Sequence, residues 1–127
     1  MFRLNLNLKI GFGFQVKDVF PKLTSLIKSG LSLDGIFGAS DALSIAAMDA
    51  LRQNGLGVPN DVSVVGYDNI NQASMSQPSL TTVNQNIAEG GELLVSSLID
   101  KLEGRAATSK LTQTDLVIRD SCGANLA

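Results

Sequence analysis

The spacing of hydrophobic positions predicts a strand and then a helix in the first part of the chain. In residues 2–14 every even position is apolar, whereas the odd positions are polar or glycine. A period of two residues is typical of a strand with one buried face. After Asp18 the apolar residues recur at helical spacing, with Asp18 as the N-cap and Gly30 as the stop.

The middle of the chain predicts a strand, a helix and another strand. A short strand at 34–39 leads into a helix whose apolar residues repeat with a period near 3.6, and Gly55 lies where a left-handed C-cap belongs. Residues 62–65 are a second strand that stops at Gly66, because valine-rich runs fit a pleated surface. The short connections predict a parallel pair with a right-handed crossover.

The last part predicts a loop, a strand, a helix and a strand. A polar loop follows Asn69 as far as Pro78, and residues 80–83 form the next strand. Asn86 and Glu89 have the spacing of a capping box for a helix that ends at Gly104. Residues 116–118 are a final strand candidate, followed by a polar tail with no evident structure.

Three of these predicted strands end in polar residues. They are Ser40 and Asp41, Asp68 and Asn69, and Asn84 and Gln85. The carboxyl ends of parallel strands share one edge of a sheet, where ligands bind in open α/β sheets. Carboxylates and amides there suit multiple hydrogen bonds to a neutral polar ligand such as a sugar or nucleobase, and Tyr67 could add an apolar face.

The same residues also have plain structural explanations. Ser40 or Asp41 could simply cap the helix that follows them, because both residue types are common N-caps. Asp68 and Asn69 could form a turn, since their side chains bond the local backbone. Tyr67 could pack in the core.

Composition narrows the functional classes. Hydrophobic residues make up 44% of the 127 residues, charged residues 17%, and the net charge is −2, which fits a globular domain without a basic nucleic-acid surface. The chain has no histidine and one cysteine, so we expect no enzyme, no metal site, no cofactor and no disulfide framework. No apolar run approaches the roughly 20 residues that cross a bilayer, which predicts a soluble, cytoplasmic protein without membrane contacts.

Several ordered motifs resemble one family. Residues 58–69, VPNDVSVVGYDN, resemble the VP-x-DVSVVG[FY]D segment of LacI/GalR transcription regulators. The stretch from Asp34 to Asp41 resembles the strand entering the family's ANDxxA motif, residues 78–85 resemble PPLTTVxQ, and residues 116–121 resemble LVVRES. The resemblance covers about residues 34–121.

The resemblance implies an α/β fold, a three-layer parallel sheet with flanking helices, as one subdomain of a periplasmic-binding-protein-like type I fold. It implies that Asp68 contacts an effector and that Gln85 and Ser40 line the cleft, although Ser40 stands where the family often has asparagine. With Asp41, Asn69 and Tyr67 these residues complete the predicted ligand-binding set. The helix near Asp41 and the loop 69–77 commonly take part in dimer contacts, which makes Ile45 and Met75 candidate interface residues.

The resemblance also implies that the chain is part of a larger protein. Residues 1–85 and 115–127 would form the C-terminal effector-binding subdomain, and the helical segment 86–114 would belong to the missing N-terminal subdomain. We therefore expect the effector-binding and dimerisation portion of a regulator, with DNA bound only through absent N-terminal residues. The isolated chain would self-associate through the helix 87–103, or that helix would fold back onto the sheet.

The alternative functions are a sugar-binding protein of the same fold and a receiver-type signalling domain. The receiver would need clustered acids and a strand-end lysine that residues 80–85 lack.

Overall fold

The computed structural model describes residues 15–124, so the strand predicted at residues 2–14 lies outside the described part. The strands are β1 (Gly35–Phe37), β2 (Ser63–Asp68), β3 (Thr81–Gln85) and β4 (Thr114–Val117). The helices are α1 (Val19–Lys28), α2 (Asp41–Gln53), α3 (Asn71–Met75) and α4 (Ile87–Leu102). Short 3-10 turns occupy Val16–Asp18 and Asp120–Cys122.

The four strands form one sheet in the order β1-β2-β3-β4. The first three are parallel, as the short crossovers predict, whereas β4 pairs antiparallel with β3. The predicted parallel sheet is confirmed for β1 to β3, and β4, which begins two residues earlier than expected, adds an antiparallel strand at the edge. The α4 segment leaves the carboxyl end of β3 and returns to the same end, where Gln85 pairs with Thr114. A chain that re-enters at that end has to run in the opposite direction.

The core lies between the sheet and helices α1 and α2. Val62, Val64 and Leu80 point to this side, and Leu23 and Leu51 of the two helices cover them. All five are at most 1% exposed. Burying a side chain of this size contributes about 1.5–3 kcal/mol. This packing holds the parallel strands in register and so sets the positions of their carboxyl ends.

Two of the three predicted N-caps form as side-chain hydrogen bonds. Ser40 accepts from the Leu43 backbone N–H at 3.4 Å. Asn86 Oδ1 accepts from the Glu89 backbone N–H at 3.2 Å, and the Glu89 carboxylate accepts from Asn86 Nδ2, rather than from the Asn86 backbone N–H, at 3.0 Å. Asp18 precedes α1 but makes no cap bond, since the Val16–Asp18 turn runs directly into the helix and gives Asp18 helical angles. As a side-chain cap, that prediction is wrong.

Two segments predicted to lack structure are ordered by tertiary contacts. The polar loop after Asn69 contains α3, whose Ala73 is fully buried and accepts a bond from the Leu80 N–H at 2.7 Å. The polar tail forms the Asp120–Cys122 turn, in which Ser121 is fully buried. Its hydroxyl donates to the Val64 carbonyl at 2.6 Å and accepts from the Thr81 N–H at 2.8 Å.

Helix α4 carries no buried residue. Its apolar side chains are exposed, with Leu94 at 75%, Leu98 at 59% and Leu102 at 78%. The helix does not fold back onto its own sheet, which was one of the two predicted arrangements. None of the helices in residues 15–124 is long and apolar enough to cross a membrane.

Candidate ligand-binding site

Strand β2 passes through Gly66 and ends at Asp68, two residues beyond the predicted end. Gly66 pairs with Thr82 of β3 and is buried. A β-carbon at Gly66 would overlap a carboxylate oxygen of Asp41 and lie 2.9 Å from Leu80 Cδ2. The glycine therefore lets the strand continue under α2, and it carries Asp68 to the edge of the sheet.

The backbone turns sharply after this strand. Asp68 and Asn69 both have positive φ angles, 117° and 56°, which residues with a β-carbon rarely adopt. Such conformations cost about 1–3 kcal/mol each and persist where neighbouring contacts enforce them. Here the Asn69 N–H faces Thr82 Oγ1 at 3.4 Å, and the Ile70 N–H donates to Asp41 Oδ2 at 2.9 Å. The turn is held by side chains from α2 and β3.

Asp41 belongs to the scaffold of this turn. It is fully buried, its Oδ1 accepts from the Thr82 hydroxyl at 2.5 Å, and its Oδ2 accepts from Ile70. Both carboxylate oxygens are thus occupied by internal hydrogen bonds, and the side chain presents no surface to a ligand. We assign Asp41 to the support of the site and leave it out of the ligand-contacting set.

The ends of β2 and β3 bring the other strand-end residues together. Asp68 is paired in register with Asn84, and Gln85 Nε2 donates to Asp68 Oδ1 at 2.7 Å. Asn69 Nδ2 donates to Asn84 Oδ1 at 3.1 Å. All four side chains are partly exposed, as is Tyr67. A carboxylate and three amides therefore meet at one accessible edge.

Ser40 lies apart from this cluster in its hydrogen bonding. Its hydroxyl caps α2, and its carbonyl accepts from the Ser44 hydroxyl at 2.9 Å. Within residues 15–124 it makes no hydrogen bond to Asp68 or Gln85. The structural explanation of Ser40 as a helix cap therefore holds, and the residue is partly exposed, three residues beyond the end of β1.

Arg119 is a site residue that the sequence pattern did not single out. Its Nη1 donates to the Leu80 carbonyl at 2.7 Å, and its Nη2 donates to Asn69 Oδ1 at 2.8 Å. Its backbone N–H donates to Thr81 Oγ1 at 2.8 Å. The partners are 38 to 50 residues away along the chain, so no local period indicates them. The one available signal is its place in the motif-like segment 116–121.

Comparison with known proteins identifies the family. The sequence model of the periplasmic binding protein-like domain matches residues 14–122. The chain belongs to this family. It is similar to the HTH-type transcriptional repressor MelR of Bacillus subtilis (strain 168), with 33% identity over 111 residues, 87% of this chain and 32% of MelR. The family's relatives found for this chain are LacI-type transcription regulators.

Solved structures agree with that assignment. The Lac repressor dimer bound to operator and the anti-inducer ONPF aligns with a TM-score of 0.80 and 29% identity, over 85% of this chain and 38% of the repressor chain. The complex of the transcriptional regulator CelR with cellobiose aligns with a TM-score of 0.77 and 33% identity, over 85% of this chain and 34% of CelR. The α/β periplasmic-binding-protein-like fold is confirmed. The chain spans about a third of the length of the relatives it matches.

The two residues predicted for the dimer interface differ in exposure. Met75, at the end of α3, is 79% exposed. Ile45 of α2 is partly buried and packs against the core cluster. In this member of the periplasmic binding protein-like family, Met75 is therefore the more available of the two for contact with another chain.

Proposed function

We propose that this chain is the effector-binding and dimerisation portion of a LacI/GalR-type transcription regulator. In this proposal Tyr67, Asp68, Asn69 and Gln85 form one wall of a crevice for a small polar molecule, most simply a sugar. Asp68 is the principal contact. Ser40, at the end of β1, borders the same crevice.

The exposed end of β2 carries this proposal. Asp68 Oδ1 is engaged by Gln85, and no residue within 15–124 donates to Oδ2. A carboxylate oxygen of this kind accepts hydroxyl donors, and charge-assisted bonds are the stronger ones. The relative CelR is named as a complex with cellobiose, which supports a carbohydrate ligand here.

The regulator is favoured over the two alternative functions. The relatives MelR and CelR are named as a repressor and a transcriptional regulator. Neither of the two alternatives, a sugar-binding protein or a receiver domain, accounts for this similarity to regulators. We infer a non-enzymatic, cytoplasmic protein that acts on DNA through a part outside this chain, since the net charge of −2 offers no basic DNA-binding surface.

We also propose that residues 1–85 and 115–127 form one subdomain and that segment 86–114 completes the other. The exposed apolar residues of α4 support this division, because a helix with a wide apolar stripe needs a packing partner. In the longer protein that partner would be the second subdomain. The crevice would then lie between the two, with Asp68 on one wall.

Ligand binding by the full-length gene product tests the proposal. Calorimetry with ribose, glucose, lactose and cellobiose should find at least one binder. Asp68→Ala should weaken that binder by at least about 100-fold, because two charge-assisted hydrogen bonds at about 1.5–3 kcal/mol each amount to about 3–6 kcal/mol, and about 1.4 kcal/mol is a factor of ten. Asp34→Ala is the matched control, since Asp34 is an exposed aspartate at the opposite end of β1.

The controls make the result decisive. Asp34→Ala should bind as the unchanged protein does. Equal affinity of Asp68→Ala and the unchanged protein would remove Asp68 from the site. Loss of binding in both variants would point to a general effect of charge or folding and would contradict the assignment.

A further inference from the structure

A chain of side-chain hydrogen bonds connects the segment after β4 to the end of β2. Arg119 Nη2 donates to Asn69 Oδ1 at 2.8 Å, and Asn69 Nδ2 donates to Asn84 Oδ1 at 3.1 Å. We call Arg119, Asn69 and Asn84 the amide relay. All three residues are partly buried, which limits competition from water.

Arg119 determines the direction of this relay. A guanidinium group has donors and no acceptor, so the Asn69 amide has to turn its oxygen toward it. The other arm of the guanidinium is tied to the Leu80 carbonyl at 2.7 Å, which keeps the planar group from swinging away. The positive φ of Asn69, 56°, fixes where its side chain starts. The NH₂ group of Asn69 must then face Asn84.

The last member of the relay is left with a free donor. Asn84 uses its oxygen to accept from Asn69, and its NH₂ group has no hydrogen-bond partner within residues 15–124. Asn84 is the register partner of Asp68, and neighbouring strands lie about 4.8 Å apart. The sheet edge thus offers an NH₂ donor beside the open carboxylate oxygen of Asp68.

We propose that the amide relay makes Asn84 a specificity-determining donor, with Arg119 as the residue that positions it. The preferred ligand then presents an acceptor to Asn84 and a donor to Asp68 at adjacent atoms, as two neighbouring hydroxyl groups of a sugar do. This inference rests on the proposed function, because it concerns the same crevice. It adds Asn84 to the site. It also specifies that a hydrogen-bond acceptor of the ligand lies next to the donor that Asp68 binds, which the carboxylate alone does not define.

Asn69→Asp tests the polarity directly. The introduced carboxylate still accepts from Arg119, but it cannot donate to Asn84. The Asn84 amide then turns over, gives its NH₂ group to the new carboxylate and presents its oxygen to the crevice. Calorimetry on the full-length gene product should show about tenfold weaker binding of the best sugar of the panel, since the hydrogen-bond donor facing the sugar is lost and an acceptor takes its place.

Asn86→Asp is the matched control. It introduces the same charge two residues beyond Asn84, at an exposed helix cap where aspartate also works well. This variant should bind the sugar as tightly as the unchanged protein. Equal weakening in both variants would mean that added negative charge explains the effect, and the relay would be refuted.

A measurement without ligand tests the relay separately. In the ligand-free protein, NMR should show the Asn84 NH₂ protons exchanging with solvent several-fold more slowly in Asn69→Asp, because they are then bonded to a carboxylate. Unchanged exchange would overturn the relay whatever the sugar does. Normal sugar affinity in Asn69→Asp, with binding lost in Asp68→Ala, would overturn the role of Asn84 and leave the proposed site intact. Normal affinity in Asp68→Ala would instead overturn the proposed function.

Discussion

Replacing the buried carboxylate of Asp41 should destabilise the fold. The side chain is fully buried and accepts from the Thr82 hydroxyl at 2.5 Å and from the Ile70 N–H at 2.9 Å. Hydrogen bonds to a charged group are worth about 1.5–3 kcal/mol each, and Asp41→Ala leaves two donors unsatisfied. Because removing the carboxylate also relieves its desolvation, we expect a net loss of about 3–5 kcal/mol.

Asp41→Asn separates hydrogen bonding from charge. The amide oxygen can accept from Ile70, while the amide NH₂ can donate to the Thr82 hydroxyl, which accepts as well as donates. The hydroxyl hydrogen of Thr82 then needs another acceptor, so we expect a loss of about 1–2 kcal/mol. The ordering of the two variants follows from the number of donors each leaves unpaired.

Urea unfolding followed by far-ultraviolet circular dichroism measures both losses, with an unchanged m-value as the sign that only stability changed. Asp49→Ala is the control on the same helix. Asp49 is exposed and, among residues 15–124, its side chain pairs only with Arg52 at 2.8 Å, so its removal should cost at most about 0.5 kcal/mol. A loss below about 1 kcal/mol in Asp41→Ala, or a larger loss in Asp41→Asn, would refute the assignment of Asp41 to the support of the turn.

Three further substitutions have defined outcomes. Gly66→Ala places a methyl group against Asp41 and should cost about 1–3 kcal/mol in urea unfolding by overpacking; full stability would show that the strand can shift. Asn86→Ala removes both bonds with Glu89 and should lower stability by about 0.5–2 kcal/mol, whereas Asn86→Asp keeps the bond from the Glu89 N–H, loses the one to the Glu89 carboxylate and should therefore cost less. Met75→Asp should shift sedimentation toward the smaller species at a given concentration. An unaltered sedimentation profile would exclude Met75 from the interface.

Features that depend on neighbouring residues could be predicted from the sequence. Gly30, Gly55 and Gly104 have the positive φ angles expected of helix ends, because glycine adopts that conformation without a steric penalty. The capping box of α4 needs only the spacing of Asn86 and Glu89. The parallel pairing of β1 to β3 follows from crossovers of ordinary length. Each of these outcomes is decided within one or two adjacent elements.

Features that depend on distant residues could not be predicted in this way. Helix α3 has five residues, too few to show a helical period, and its order comes from buried Ala73. Ser121 bonds the Val64 carbonyl across 57 positions, and Arg119 bonds Asn69 across 50. Because the segments around these residues are polar, the sequence pattern predicts only a loop or a tail there. The same limit applies to Asp41, whose sequence position favours a cap or a ligand contact, whereas its burial is decided by β3.

The antiparallel pairing of β4 has a mechanical consequence for the two-subdomain protein proposed above. The chain leaves the sheet at Gln85 and re-enters it at Thr114. These two residues are register partners in the pairing of β3 with β4. Both covalent links to the α4 segment therefore start from one point, beside Asp68. Helix α4 has 16 residues and so a length of about 24 Å, which means that a swing of about 10° about this point would carry its far end roughly 4 Å. A ligand bound beside Asp68 would contact the chain close to the pivot of this rotation.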